Sequence, residues 1–242
     1  MIVLFTDFGL EGPYTGQVAA VLQQTAPAIP MISLFADLPP GEAKPAAYLL
    51  AAYAKWFPSG TVLLCVVDPG VGSGRRALIV EADGRFYVGP DNGLFEIVVR
   101  RAARVEIWQI TWRPAVLSAS FHGRDLFAPV AAQLARGETP AAIAVQAQAT
   151  PHPGWPDDLA EIVYVDRYGN ALTALRGEIV ATSTRLSVGG QVLAQADTFS
   201  AVPRGTAFWY VNSNGLVEIA VNQGRADRQL GLAVGAAVTI IK

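Results

Sequence analysis

Cysteine is nearly missing from this chain: Cys65 is the only one in 242 residues. No internal disulfide can form, which fits a reducing compartment, and a cysteine-built zinc site is excluded. Cys65 lies inside the apolar run TVLLCVV at 61–67, where it reads as a small buried hydrophobe in a strand, not as a nucleophile. Histidine is almost as scarce, with only His122 and His152. His152 falls in a Pro-rich stretch and is expected to be exposed, and two distant histidines do not make a metal centre. Charged residues are few, 16% of the chain with a formal net charge of −2. No basic field is available to attract a nucleic-acid backbone. No apolar run reaches 18 residues and no basic segment precedes the first apolar stretch, so the expectation is a soluble, cytoplasmic protein without a signal peptide or membrane helix.

Apolar residues, by contrast, are plentiful at 52%. They suffice for a sizeable core in one large domain or two modest ones. Two textures divide the chain. Residues 1–150 alternate short β-rich runs (2–6, 30–35, 61–67) with Ala/Leu-rich segments of helical length (14–25, 42–56). Such alternation implies an α/β domain with a largely parallel sheet covered by helices on both faces. Asp83-Gly84 between the runs 76–82 and 85–89 is a two-residue hairpin signal, and 124–136 reads as a helix with Gly137 at its C-cap. The stretch 151–156 reads as a linker. Residues 157–242 lose the helical texture. Short runs at 161–165, 171–175, 184–188, 207–212, 216–221 and 237–241 suggest a smaller all-β domain of barrel or sandwich type.

Polar chemistry collects in a few places. Asp7, Asp37, Asp68 and Asp91 each follow a strand run, and ligands of an open α/β sheet bind beyond the carboxyl ends of its strands. Carboxylates on that rim suit a ribose diol or a cation, although aspartate also caps helices and turns. Asp37, ahead of Leu38-Pro39-Pro40, reads as a plain turn residue. The loop DPGVGSGRR at 68–76 has glycine at alternate positions, which lets backbone N–H groups approach a ligand. It is not a P-loop, since no Gly-Lys-Ser/Thr follows, and a strand-like run follows it where a dinucleotide fingerprint needs a helix. What remains is a loop holding a carboxylate, Asp68, and a guanidinium, Arg75, seven residues apart. SASFHGRD at 118–125 is the second constellation. His122 opens a helix there and reads either as a general base near neutral pH or as a structural histidine. Arg124 and Asp125 read as a pair or a cap. In the β domain, Asn170 offers a donor and an acceptor to a purine edge, and Tyr168 and Phe199 offer apolar faces. Glu218 alternates with apolar neighbours, the pattern of a side chain facing solvent.

Six motifs occur in order: TDFG (6–9), DPGVG with Arg75-Arg76 (68–72), GPDNGL (89–94), FHGRD (121–125), DRYGN (166–170) and EIAVN (218–222). Together they resemble the S-adenosylmethionine (SAM) hydroxide adenosyltransferase, or SAM hydrolase, family, relatives of the SAM-dependent fluorinating and chlorinating enzymes. The resemblance runs from Thr6 to Gly231. It implies an N-terminal α/β domain, a C-terminal β-barrel, and a homotrimer with sites between the N-terminal domain of one subunit and the C-terminal domain of the next. It further implies attack of water on the ribose C5′ of SAM, giving adenosine and methionine, with SAM as substrate and no metal or other cofactor. The family's water-handling triad falls on Asp68, Arg75 and His122, and its ribose-binding aspartate on Asp7. Adenine and methionine contacts fall around Asp166, Tyr168, Asn170, Phe199, Ser213, Glu218 and the Val221-Asn222 backbone. In this scheme His122 and Asp68 take the proton of water while Arg75 stabilises developing hydroxide. The halogenating branch typically has tyrosines for the triad aspartate and histidine, and a serine for the halide. Asp68, His122 and Gly123 stand here instead. Other departures are Tyr168 for phenylalanine, Ser120 for threonine and Gly74 for glutamate. Halide transfer, a non-catalytic SAM or adenosine sensor and a purely structural trimer are the competing readings.

Overall fold

The structure, a computed structural model, describes residues 1–145 and 154–241. His152 and the first half of the expected linker therefore lie outside the described residues. Two compact units form, Met1–Pro153 and Gly154–Lys242. Among the described residues no helix is long and apolar enough to cross a membrane.

The first unit contains, in order, β1 (Ile2–Thr6), α1 (Tyr14–Thr25), β2 (Met31–Phe35), α2 (Ala43–Tyr53), β3 (Val62–Val66), β4 (Ala77–Ala82), β5 (Arg85–Pro90), α3 (Glu96–Arg101), β6 (Val105–Ile110), α4 (Ala128–Ala135) and β7 (Ala142–Val145). They build one sheet in the order β2-β1-β3-β5-β4-β6-β7. The ladders β1–β2, β1–β3 and β3–β5 are parallel, and those of β4 with β5 and β6, and of β6 with β7, are antiparallel. Only β4 and β7 thus run against the other five strands, the mostly parallel sheet expected from the strand–helix alternation. Every residue of β1 and β3 is buried, as a central strand covered on both faces requires. Ile2, Leu4 and Leu64 pack with Val18 and Leu22 of α1 and Val130 of α4. On the other face Phe5 meets Phe35, whose ring meets Tyr53 of α2, at 5.4 and 5.0 Å between centroids. Burial of each such side chain contributes about 1.5–3 kcal/mol.

Asp83-Gly84 does make the tight hairpin: φ is +48° and +80°, the type I′ pair that matches strand twist. The Asp83 carboxylate also accepts the N–H groups of Ala103 and Arg104, at 3.1 and 3.0 Å. Gly137, φ +79°, ends α4. The expected helix over 124–136 differs at its start. Gly123–Phe127 is one π-helical turn, with the Ala128 N–H bonded to the Gly123 carbonyl, and only then does α4 begin. One inserted residue in a helical ladder leaves no periodicity to read, and such turns are frequent at functional sites.

The second unit contains β8 (Leu159–Val165), β9 (Ala171–Arg176), β10 (Arg185–Val188), β11 (Gln191–Leu193), β12 (Ala207–Val211), β13 (Leu216–Val221), a single helical turn α5 (Ala226–Gln229) and β14 (Thr239–Ile241). A four-stranded sheet, β12-β13-β9-β8, faces a three-stranded one, β11-β10-β14, and all ladders are antiparallel. Single bridges, Glu161–Ala237 and Gln195–Trp209, join the two sheets at both pairs of edges. The strands therefore close around Ile162, Leu175, Leu186, Trp209, Val217 and Ile219, leaving little open edge. The three-residue β11 and the turn α5 are too short to leave a sequence pattern.

Candidate active site

Parallel strands deliver their carboxyl ends to one rim, and the chain leaves β1 at Asp7 and β3 at Asp68. The Asp7 N–H bonds the Val66 carbonyl at 3.4 Å, tying the two exits together. Because β4 runs the other way, its first residue Ala77 sits opposite Pro90, which brings Arg75 and Arg76 to the same rim. Arg76 holds Asp91, Nε to Oδ2 2.6 Å, so Asp91 is an ion-pair partner. Asp7 and Asp68 face a cavity of about 240 Å³. Its wall also holds Phe8, Gly41, Val66, Pro69, Val71, Ser120, Phe121, His122 and Gly123.

Behind this wall stands Arg75. Its Nε donates to Asp68 Oδ1 at 2.6 Å, and Nη2 donates to Asp68 Oδ2. Nη2 also lies 3.1 Å from His122 Nδ1. The guanidinium rests on the Phe127 ring, 5.3 Å from its centroid. The Arg75 and Asp68 side chains are 9% and 5% exposed, so this bidentate pair is desolvated and held on three sides. The expected triad Asp68, Arg75 and His122 therefore converges. Burial, followed by the Arg75 charge, lowers the His122 pKa below 6.5, with Asp68 opposing. This environment disfavours the imidazolium.

Two loops meet to make this cluster. Gly72, φ +81°, lies so close to the Ala119 carbonyl that a Cβ there would come within 2.6 Å of it; only glycine serves. Asp125 fixes the other loop by accepting the Ser118 N–H at 2.9 Å, and Arg124 clamps Asp125 and reaches Gln17 of α1 at 2.8 Å. Of the two readings of Arg124 and Asp125 the pair holds; neither side chain caps the helix, since the N–H that Asp125 accepts belongs to the loop before it. Asp7 Oδ2 accepts the Gly41 N–H at 2.9 Å. Burial raises the Asp7 pKa, the Gly41 bond counters this, and Asp68 adds to it.

The second unit carries a separate cavity of about 650 Å³, lined by Asp166, Tyr168, Asn170, Phe199, Tyr210, Glu218, Val221, Gln223, Gly224 and Arg225. Asp166 closes the DRYGN turn by accepting the Asn170 N–H at 2.8 Å and its side-chain amide at 3.1 Å. Tyr168 stands 76% exposed at the rim, a free aromatic face. Glu218 does not face solvent: it is 5% exposed, because β13 is an inner strand buried along its whole length. Tyr210 donates to its Oε1 at 2.5 Å and Asn212 to its Oε2 at 2.8 Å. Burial raises the Glu218 pKa and these two hydrogen bonds partly offset it. Ser213 and Asn222 are not among the lining residues. Asn222 uses its side chain on the Val202 carbonyl at 2.7 Å and its N–H on the Thr206 carbonyl at 3.1 Å. Tyr210, Gln223, Gly224 and Arg225 line the cavity without having been singled out in the sequence. Tyr210 reads there as an ordinary strand aromatic. Gln223 takes φ +54°, a conformation unusual for a side chain of its size and invisible in sequence. Among the described residues no group of three or more His, Cys, Asp or Glu is placed to hold a metal ion.

A half-buried Asp-Arg-His cluster beside a strand-end cavity, and an aromatic pocket floored by a carboxylate in the β unit, are the polar, preorganised sites of an enzyme acting on a small molecule. Models of the SAM hydroxide adenosyltransferase N-terminal and C-terminal domains match residues 2–144 and 160–239, and the chain belongs to this family. It is 40% identical to the (R)-S-adenosyl-L-methionine hydrolase of Thermus thermophilus, covering 99% of each chain. It is 38% identical to that of Salinispora arenicola, over 95% of this chain and 93% of the relative. Among solved structures, an uncharacterized conserved protein from Thermotoga maritima superposes with TM-score 0.91 at 30% identity over 100% of both chains.

Proposed function

We propose that this chain hydrolyses (R)-S-adenosyl-L-methionine to adenosine and L-methionine by attack of water on the ribose C5′. The observation that carries this reading is the convergence of Asp68, Arg75 and His122 at a cavity that also holds Asp7. The full-length likeness to proteins named for this substrate supports it. Their name places the R configuration at the sulfonium, since the amino-acid centre is already specified as L.

The chemistry asks little of a leaving-group acid, because methionine departs from the sulfonium as a neutral thioether. The demand falls on water, a weak nucleophile at neutral pH. Removing its proton in place contributes about 10²–10⁴-fold, and holding it in line with C5′ contributes further. Asp7 is the ribose anchor: Oδ2 is occupied by Gly41, and a carboxylate has lone pairs left for a diol. The 650 Å³ cavity of the second unit takes the adenine and methionine ends. Tyr168 and Phe199 supply faces, Asn170 an amide, and Asp166 and Glu218 charge for the substrate's cationic groups. The two half-sites serve one substrate, and we assign their union to neighbouring subunits of a homotrimer. SAM is the substrate in this scheme and no further cofactor is invoked.

Incubating purified protein with each sulfonium epimer and separating the products by chromatography tests the reading. Adenosine and methionine in equal amounts, from the R epimer preferentially, are expected. Unchanged SAM after prolonged incubation would return the protein to the class of SAM sensors, and a halogenated adenosine in high halide would move it to the halogenases.

A further inference from the structure

We propose that Arg75 fixes His122 as the Nε2–H tautomer, so that the imidazole donates a hydrogen bond to the attacking water while Asp68 accepts the proton. This rests on the hydrolytic reading above and reverses the role first expected of the histidine.

A guanidinium has donors only, and no acceptor. Arg75 Nη2 at 3.1 Å from His122 Nδ1 therefore faces a nitrogen that carries no hydrogen. A neutral imidazole has one such nitrogen. The hydrogen is then on Nε2, and the single lone pair that could take a proton is already held by a cation. A histidine so placed is poorly suited as a base and well suited as a donor. Its lowered pKa agrees: burial is the larger cause, and protonating Nδ1 would also set two cations against each other.

Asp68 keeps what His122 lacks. Arg75 occupies one acceptor position on each of its oxygens, and a carboxylate offers about four. Asp68 and His122 both line the cavity, and Arg75 is not among its lining residues. Arg75 is thus a positioning residue: it acts through its two neighbours and does not touch the water. Water accepts the His122 Nε2–H with one lone pair and attacks C5′ with the other. One O–H bond breaks and its proton passes to Asp68. The new O–C5′ bond forms as the C5′–S bond breaks, its electron pair leaving on sulfur as the methionine thioether. Asp68 later returns the proton to solvent.

The chain has only two histidines, so ¹⁵N-histidine labelling with long-range ¹H–¹⁵N correlation reads the tautomer directly, and a His152→Asn sample identifies which signals belong to His122. At pH 7 the wild-type protein should show Nε2 protonated and Nδ1 bare. In Arg75→Lys the preference should relax toward a tautomer mixture. An Nδ1–H tautomer, or an imidazolium, in the wild type would overturn the proposal. Kinetics give a second arm. His122→Gln retains a donor and an acceptor and should exceed His122→Ala in kcat by at least about tenfold; a base would be lost equally in both. Equal rates in two folded variants would also overturn it. Absence of adenosine from the wild type would remove the hydrolytic reading while leaving the tautomer result standing.

Discussion

In the first unit the polar groups around the cavity are bonded chiefly to one another: Asp68 to Arg75 and Arg75 to His122. In the second, Asp166 pairs with Asn170 and Glu218 with Tyr210, but these pairs stand apart around a larger cavity, with Glu218 at its floor and Tyr168 projecting at the rim. The first arrangement is small, interlocked and half-buried, which restricts how its side chains can move. Such preorganisation serves a reacting centre, where position governs rate. The second is roomier, aromatic and partly open, which suits recognition of a flat base and a charged tail. The contrast predicts that variants of the first cavity lower kcat and variants of the second raise KM.

Asp68→Asn tests the contrast hardest. It removes the proton acceptor and should cut kcat by about 10²–10⁴-fold with KM little moved; steady-state kinetics on a variant of native circular dichroism would show it, and a change confined to KM would erase the distinction between the units. Next in size, Glu218→Gln should raise KM by about 10–100-fold, the worth of a hydrogen bond to a charged group, while kcat stays close to wild type. A kcat loss as large as that of Asp68→Asn would make the second cavity part of the chemistry. Smaller again, Tyr168→Ala should raise KM about tenfold through lost stacking, and Tyr168→Phe should restore it, since the face is what binds.

The pH profile sharpens the same comparison. His122 is faced by Arg75, Asp68, Arg113 and Asp125, and burial with Arg75 dominates, lowering its pKa below 6.5. A lowered histidine pKa means that the fold disfavours the imidazolium. The neutral form, and with it the Arg75 contact, persists to lower pH than it would in a free imidazole. The acidic limb of kcat/KM should therefore lie under pH 6.5. A limb centred above it would contradict the assigned environment.

Much of this was legible in the sequence for physical reasons that differ by element. The Asp83-Gly84 hairpin could be read because two adjacent positive-φ positions demand those residue types. β1 and β3 could be read as covered strands because their apolar runs are continuous. The DPGVGSGRR loop announced a close backbone approach, and Gly72 against Ala119 is that approach. Other features had no local signal. The Arg75–His122 contact joins residues 47 apart in sequence, and only the antiparallel placement of β4 creates it. Glu218 looked solvent-facing because alternation in a half-buried strand and in an inner strand carrying one satisfied carboxylate is the same string of letters. Tyr210 escaped notice for a related reason: its hydroxyl matters only because Glu218 stands opposite it on β13.

The most direct test of the central claim is hydrolysis in ¹⁸O-enriched water followed by mass spectrometry of both products. Attack of water on C5′ puts one heavy oxygen in the 5′-hydroxyl of adenosine and none in methionine. Adenosine without the label, or label carried by methionine, would contradict it.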